Sequence, residues 1–329
     1  MSSFIFMRKI KKTVIIVGYK CNNKCIFCND WDKRNLPQKT TFQIKKEMIG
    51  ARARGSSYLE LIGGETTIRP DIIELVRFAK NLGFTTIAMS TNGRMYSLKE
   101  FAKKILQAGL NSIIFSIHGH TAKLHDSLTQ VPGSFEQLKK GVENVKEIIK
   151  ELNLQVQIGS NTCVMKKNYR YLPQIGRYIR SLGIDNSEFI FVDPTYGAAF
   201  DFFDKIVPKI SQVAPFAHKL LDIGKEEQLP HWHIRYVPLC YFQDYLGQIS
   251  ELQEVQMFHT EHLAPDFYNP NAEEGRKKIG RAKTKRCQGC KLYDWCEGIW
   301  KVYLKHYGDK ELKPVKHLTE VQIEALNSY

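Results

Sequence analysis

No apolar run in this 329-residue chain approaches the ~20 residues needed to cross a bilayer, which excludes a helical membrane span. The opening residues, MSSFIFMRKIKK, place apolar positions before basic ones and contain no long apolar region. They therefore lack the order of a secretory signal, and a cytoplasmic location is expected. Acidic residues are the scarcer charge: 34 Asp and Glu stand against 48 Lys and Arg, a formal net charge of +14. That balance disfavours cationic partners and favours anionic ones such as nucleic acid, acidic peptide, phosphorylated metabolite or acidic electron carrier. No fixed-period repeat and no low-complexity segment is present, which excludes a solenoid or a linker array. At 43% hydrophobic and 25% charged residues, the chain has the composition of an ordinary protein able to build a core.

Cysteine is not scarce, but its distribution excludes a disulfide framework. Eight cysteines in a chain without a secretory signal point to metal or catalysis. Three lie at Cys21, Cys25 and Cys28, three at Cys287, Cys290 and Cys296, and Cys163 and Cys240 stand alone between the groups. A closed structural zinc site wants four ligands, yet no His or Cys follows Cys28 until His118. Three thiolates hold three irons of a four-iron cluster and leave the fourth open to a small molecule. The spacing Cys21-Asn-Asn-Lys-Cys25-Ile-Phe-Cys28, with an aromatic just before the last cysteine, resembles the signature of the radical S-adenosylmethionine (SAM) enzymes. Phe27 is suited to stack on an adenine or to shield the cluster from water.

From residue 13 to about 192, short β-rich runs alternate with longer amphipathic ones. The runs 13–18, 58–62, 84–90, 112–117, 155–160 and 188–192 read as strands. Helices are expected over 39–54, from Pro70 to Asn81, and over 98–108, 133–152 and 171–182. Six β/α units call for a parallel sheet with right-handed crossovers, an α/β fold. Six are too few to close an eight-stranded barrel, so the expectation is an open, partial (β/α)6 TIM-like barrel with working groups at the C-terminal ends of its strands. Beyond residue 200 the pattern loosens, with helical stretches expected near 203–223 and 250–262. A small C-terminal iron–sulfur module follows, giving expected domains of 1–235 and 236–329.

The polar motifs fall at strand ends. Gly63-Gly64-Glu65 closes the second strand: two glycines permit close backbone approach, and the carboxylate is suited to an ammonium group. Ser90-Thr91-Asn92-Gly93 closes the third, Ser116-Ile-His118-Gly119-His120 the fourth, and Ser160-Asn161-Thr162-Cys163 the fifth. His120 and the later His125 suit acid–base work by their ordinary pKa; Cys163 reads as a small buried hydrophobe. Asp193 to Tyr196 is suited to frame adenine or substrate. By the resemblance, Gly63, Gly64 and Glu65 hold the SAM amino group, Ser90, Asn92 and Asn161 line the SAM site, and Ser116 and His118 contact the SAM ribose or carboxylate. The catalytic candidates are His118 and His120.

The run Cys287-Gln-Gly-Cys290-Lys-Leu-Tyr-Asp-Trp-Cys296 resembles the shortened cluster module called twitch, related to the longer SPASM module, which needs more cysteines than are present. Cys240 is the natural fourth ligand of an auxiliary [4Fe-4S] cluster: with it the cluster is closed, the common state being thiolate ligation of all four irons, and without it one iron is free to hold substrate. Seven basic residues between Arg276 and Arg286 are positioned to raise its potential or to meet an acidic partner.

The resemblance implies reductive cleavage of SAM at a [4Fe-4S] cluster to a 5′-deoxyadenosyl radical that takes hydrogen from substrate, with the auxiliary cluster relaying electrons. An acidic donor such as flavodoxin or ferredoxin is implied. Substrates expected from members with this module are peptide side chains. A barrel beginning at residue 13 implies that any leader-peptide-binding domain is a separate protein. Small-molecule cofactor synthesis, as in the molybdopterin pathway, is the main alternative and RNA modification the third. A zinc-stabilised nucleic-acid binder is the non-enzyme alternative.

Overall fold

The computed structural model describes residues 9–327; Arg8, part of the basic run at 8–12, lies outside them. Six strands alternate with helices in the expected order: β1 (Ile10–Ile16), α1 (Thr41–Ala53), β2 (Tyr58–Ile62), α2 (Ile72–Asn81), β3 (Thr86–Thr91), α3 (Lys99–Gln107), β4 (Ser112–Ser116), α4 (Ala122–Thr129), α5 (Ser134–Glu151), β5 (Gln157–Val164), α6 (Leu172–Ser181) and β6 (Asn186–Phe191). Local signals set the boundaries. Thr40 and Gln43 form a capping box at the start of α1, and Pro173 occupies the first turn of α6, where its missing N–H costs nothing.

The sheet is larger than six strands. β7 (His231–Arg235), β8 (Phe258–Leu263) and β9 (Tyr268–Asn269) complete the order β7-β6-β5-β4-β3-β2-β1-β8-β9. All neighbours are parallel except the β8–β9 pair, and β7 and β9 are the two edges of an open barrel. The helix expected over 250–262 is therefore corrected: α8 (Ser250–Met257) stops where β8 begins, alongside β1. Pairing there, with Thr13 donating to Glu261 at 2.8 Å, overrides the helical preference of the local sequence. The helix expected over 203–223 starts later, as α7 (Ile210–Glu226). Pro208 disfavours helical geometry in Val207, which is extended, so the preceding residues make only two single turns, Ala198–Asp201 and Phe203–Ile206. A helix α9 (Ala272–Gly280) and the antiparallel pair β10 (Arg281–Ala282) and β11 (Ile299–Trp300) lead into the second cysteine group.

One face of the sheet packs on the helices: Ile15, Leu59, Leu61, Ile87, Met89, Ile113 and Phe115 are fully buried. The period of two sends the alternate residues into the barrel. There Lys12 pairs with Glu60 at 2.6 Å, Ser90 donates to Glu60 at 3.0 Å, and Arg235 pairs with Glu188 and Glu254 at 3.0 and 2.9 Å. The floor of the barrel is thus polar and internally paired.

Candidate active site

The loop after β1 is tied down by backbone hydrogen bonds on several sides. Glu65 N–H donates to Lys20 O at 2.9 Å, Lys24 and Ile26 N–H donate to Thr129 O and Leu128 O at 2.9 and 3.0 Å, and Ala198 N–H donates to Cys28 O at 3.1 Å. The turn after β3 adds side chains: Asn92 Nδ2 donates to Asn22 Oδ1 at 2.6 Å, and Arg94 reaches Asn22 O and Asn23 Oδ1 at 2.5 and 3.0 Å. Gly63 and Gly64 have φ of +101° and +51°. A Cβ on Gly64 would lie 2.1 Å from Lys20 O, and one on Gly63 2.5 Å from Gly18 O. The two glycines are therefore required by the backbone of the cysteine loop itself, which they let sit on the end of β2.

A cavity of about 340 Å³ opens there, at the C-terminal ends of β1 to β6. Cys21, Cys25 and Cys28 line it, as do Phe27, Gly63, Gly64, Glu65, Ser90, Asn92, Ser116, His118 and Asn161. Every residue expected at the SAM site is thus brought to one cavity. Burial pushes the Cys21 and Cys25 thiols up to about 11 and 12, and raises Cys28 as well. Free thiols stay protonated there, and a bound metal must displace those protons.

Glu65 is 2% exposed. Its Oε1 accepts from Thr67 N–H and from the Thr67 and Thr91 hydroxyls at 3.2, 2.6 and 2.8 Å, and its Oε2 from Asn92 N–H at 2.7 Å. Burial nevertheless raises its pKa, because these donors are neutral and, among the described residues, no cation forms an ion pair with it. A carboxylate so placed is stabilised by an incoming cation.

His118 is buried, and its Nδ1 accepts from Cys163 N–H at 3.2 Å, which leaves the ring proton on Nε2. Its ring meets Phe27 edge-on at 4.7 Å. Burial, with a smaller contribution from His125, lowers its pKa to about 3. A ring neutral at neutral pH is a hydrogen-bond donor there. His120 does not line this cavity: it packs against Tyr171, with ring centroids 5.5 Å apart.

Cys163, Asp30, Arg34, Asp193 and Tyr236 also line the cavity. Cys163 and Asp193 stand at strand ends where the pattern already pointed. Asp30 and Arg34 belong to an aperiodic loop, and Tyr236 follows a strand whose His231, His233 and Arg235 read as loop; neither carried a signal. Tyr236 has φ of +69°, a left-handed conformation uncommon for a bulky residue.

The second group converges as well. Cys240, Cys287, Cys290 and Cys296 line one small cavity together with Lys283 and Ile299. Gly298 N–H donates to Cys296 Sγ and Val315 N–H to Cys290 Sγ, both at 3.3 Å. Burial pushes the Cys240 thiol up to about 12 and raises Cys296. Part of the basic run is committed internally. Arg276 pairs with Glu297 and Glu254 at 2.7 and 3.0 Å, and Arg281 with Glu251 at 3.2 Å.

A parallel open barrel carrying a three-cysteine loop above a buried glutamate defines a class, and comparison with known proteins places the chain in it. The chain belongs to the Radical SAM superfamily, whose family model matches residues 15–179. It is 29% identical to the AdoMet-dependent heme synthase of Methanosarcina barkeri over 64% of this chain and 57% of that protein, so it spans little more than half of that relative's length. It is 26% identical to a probable GTP 3′,8-cyclase of Saccharolobus islandicus over 70% of this chain and 72% of that one. The fold is shared with Streptococcus suis SuiB bound to precursor peptide SuiA (TM-score 0.64, 16% identity, 95% of this chain and 76% of that chain). It is shared equally with anSMEcpe bound to AdoMet and Cp18Cys peptide (TM-score 0.64, 15% identity, 98% and 97%). Membership implies a [4Fe-4S] cluster and SAM. The residues present fit that pair: three thiols on one wall of the cavity, and on another a buried carboxylate with neutral partners only.

Proposed function

We propose that the chain is a radical SAM enzyme acting on a peptide or protein side chain, with an auxiliary [4Fe-4S] cluster that relays electrons. The observation that carries this reading is the shared cavity of Cys21, Cys25, Cys28 and Glu65. When bound, the cluster and SAM supply reductive cleavage of the sulfonium and a carbon radical able to take hydrogen from an unactivated position. The chain's own residues bind and orient. Cys21, Cys25 and Cys28 hold the cluster. Glu65 receives the SAM ammonium, fixed by Thr67, Thr91 and Asn92. Phe27, Gly63, Gly64, Ser90, Asn92, Ser116 and Asn161 frame the rest, and His118 supplies a neutral N–H.

The remaining lining favours a peptide side chain over a nucleoside triphosphate. Beyond Glu65 it carries the carboxylates of Asp30 and Asp193 and one cation, Arg34. Burial raises both carboxyls, and bringing polyphosphate beside them adds like-charge repulsion. The second reading, small-molecule cofactor synthesis, is supported by the likeness to a GTP 3′,8-cyclase.

The second cavity is read as a closed auxiliary site with Cys240 as fourth ligand, in a C-terminal module from residue 236 that lends β8 and β9 to the barrel. Tyr236 lines the SAM cavity and meets Trp300 edge-on at 5.0 Å, and Trp300 adjoins Ile299 on the wall of the four-cysteine cavity. This aromatic pair lies on a packed path between the two sites.

The cluster assignment is tested on protein purified without oxygen. Iron is expected at about eight per chain in the wild type and about four when Cys21, Cys25 and Cys28 are replaced by Ala; zinc in place of iron contradicts it. For the substrate, deuterated peptide and deuterated GTP are compared as sources of deuterium in 5′-deoxyadenosine. Transfer from peptide supports the reading, and transfer from GTP overturns it in favour of the second.

A further inference from the structure

One buried donor beside the three cysteines has no partner. Arg34 is half-buried, and its Nε is closed off from solvent with no hydrogen bond to any described residue. Arg34 and Cys25 border the SAM cavity and also an outer opening of about 350 Å³, so they form the partition between the two. The Arg34 guanidinium also hydrogen-bonds the Cys28 side chain. Most other charges around the loop are engaged or solvated. Lys33 pairs with Asp266 at 2.8 Å, Asp201 accepts from the Trp31 indole at 3.0 Å, and Lys24 and Asp32 are exposed. Asp30 is the exception: a half-buried carboxylate on the cavity wall whose charge reaches Cys28 and opposes that of Arg34.

We infer that Arg34 sets the reduction potential of the iron–sulfur group held by Cys21, Cys25 and Cys28, donating Nε–H to one of its sulfurs and raising the potential by its charge, with Asp30 as the weaker opposing charge. The inference rests on the reading proposed above. Thiolate-ligated clusters are anionic, and their potentials follow net charge, hydrogen bonds to the sulfurs and solvent exposure. Arg34 brings a permanent charge and an unpaired N–H to the same wall as Cys25. A buried N–H without an acceptor is costly, and an iron–sulfur group beside Arg34 supplies the acceptor the chain does not. The Arg34 charge works against burial at all three thiols, whereas the Asp30 charge works with burial at Cys28. That difference makes Arg34 the stronger of the two.

The test is a redox titration of the iron-loaded full chain with dithionite, with and without SAM. It follows the paramagnetic resonance signal that the variant with Cys21, Cys25 and Cys28 replaced by Ala lacks. Arg34→Met is expected to lower the equilibrium constant for one-electron reduction about tenfold or more, which is about 59 mV. Iron content should be unchanged and the shift present without SAM. Asp30→Asn is expected to shift the potential upward, a readout that stands even if Arg34→Met loses its iron. Three results would each overturn the inference: a constant within about twofold of wild type in iron-loaded Arg34→Met, no rise in Asp30→Asn, or a shift in Arg34→Met confined to SAM-bound protein. The last would give Arg34 to the SAM carboxylate instead. Zinc in place of iron in the wild type would strike the proposed function and the inference together. The expected shifts in a wild type and variants that make no 5′-deoxyadenosine would strike the proposed function alone.

Discussion

Glu65 shows what a single side chain contributes here. A buried carboxylate with only neutral donors around it is costly, and its raised pKa records that cost. On the proposed reading its partner is the ammonium group that arrives with SAM. Glu65→Gln keeps the shape and most of the hydrogen bonds while removing the charge. The expected outcome is about ten- to hundredfold weaker SAM binding, the ~1.5–3 kcal/mol of a charged hydrogen bond, with iron content unchanged. Equilibrium dialysis with labelled SAM reads the affinity, and an unaltered Kd would remove Glu65 from the ammonium site. Gly64 makes the complementary point about backbone. Gly64→Ala places a methyl group 2.1 Å from Lys20 O at a φ of +51°, so denaturant unfolding should show a loss of about 2 kcal/mol or more. Stability equal to wild type would mean that the cysteine loop does not rest on this turn. The Cys-x3-Cys-x2-Cys spacing and Gly-Gly-Glu were legible because each uses adjacent residues for one task. Asp30, Arg34 and Tyr236 were not, because tertiary packing alone brings them to the cavity.

At the scale of elements, the first six strands were legible from their β-branched and apolar runs, buried on the helix-packed face. The last three were not. β7 alternates Trp232 and Ile234 with His233 and Arg235, and its polar face reads as loop until Glu188 and Glu254 are seen opposite it. β8 continues directly from the helix α8 and is a strand because β1 offers it a partner. Its hold on β1 includes Glu261, which accepts from Thr13 at 2.8 Å and pairs with Arg54 at 2.7 Å. Burial works to raise the Glu261 pKa, but the hydrogen bonds and charge of Arg54 and the Thr13 hydroxyl outweigh it and leave it lowered. A carboxylate with a depressed folded pKa adds stability that is complete above its unfolded value, about 4.3 for Glu, and is lost as pH falls through the folded value. Glu261→Gln should therefore cost about 1–2 kcal/mol at pH 7, with Arg54 half exposed, and the difference from wild type should shrink as pH falls below about 4. Urea titrations at pH 7 and at about pH 3 check this. A difference that grows in acid would place the stabilisation elsewhere.

For the whole molecule, the central feature is two cysteine-lined cavities in one chain. Cys240 is far in sequence from Cys287, Cys290 and Cys296 yet lines their cavity, an arrangement the lone position of Cys240 only suggested. Cys240→Ala should labilise iron at the auxiliary site alone, leaving the first cluster's about four irons per chain and cleavage of SAM with dithionite. Iron content and nucleoside yield on the same sample distinguish this from general unfolding, which would remove both. The most direct measurement is 5′-deoxyadenosine formed from SAM and dithionite by anaerobically purified protein, wild type beside the variant with Cys21, Cys25 and Cys28 replaced by Ala. The account predicts the nucleoside from the wild type and none from the variant. No nucleoside from fully iron-loaded wild type, or equal amounts from both proteins, would contradict it.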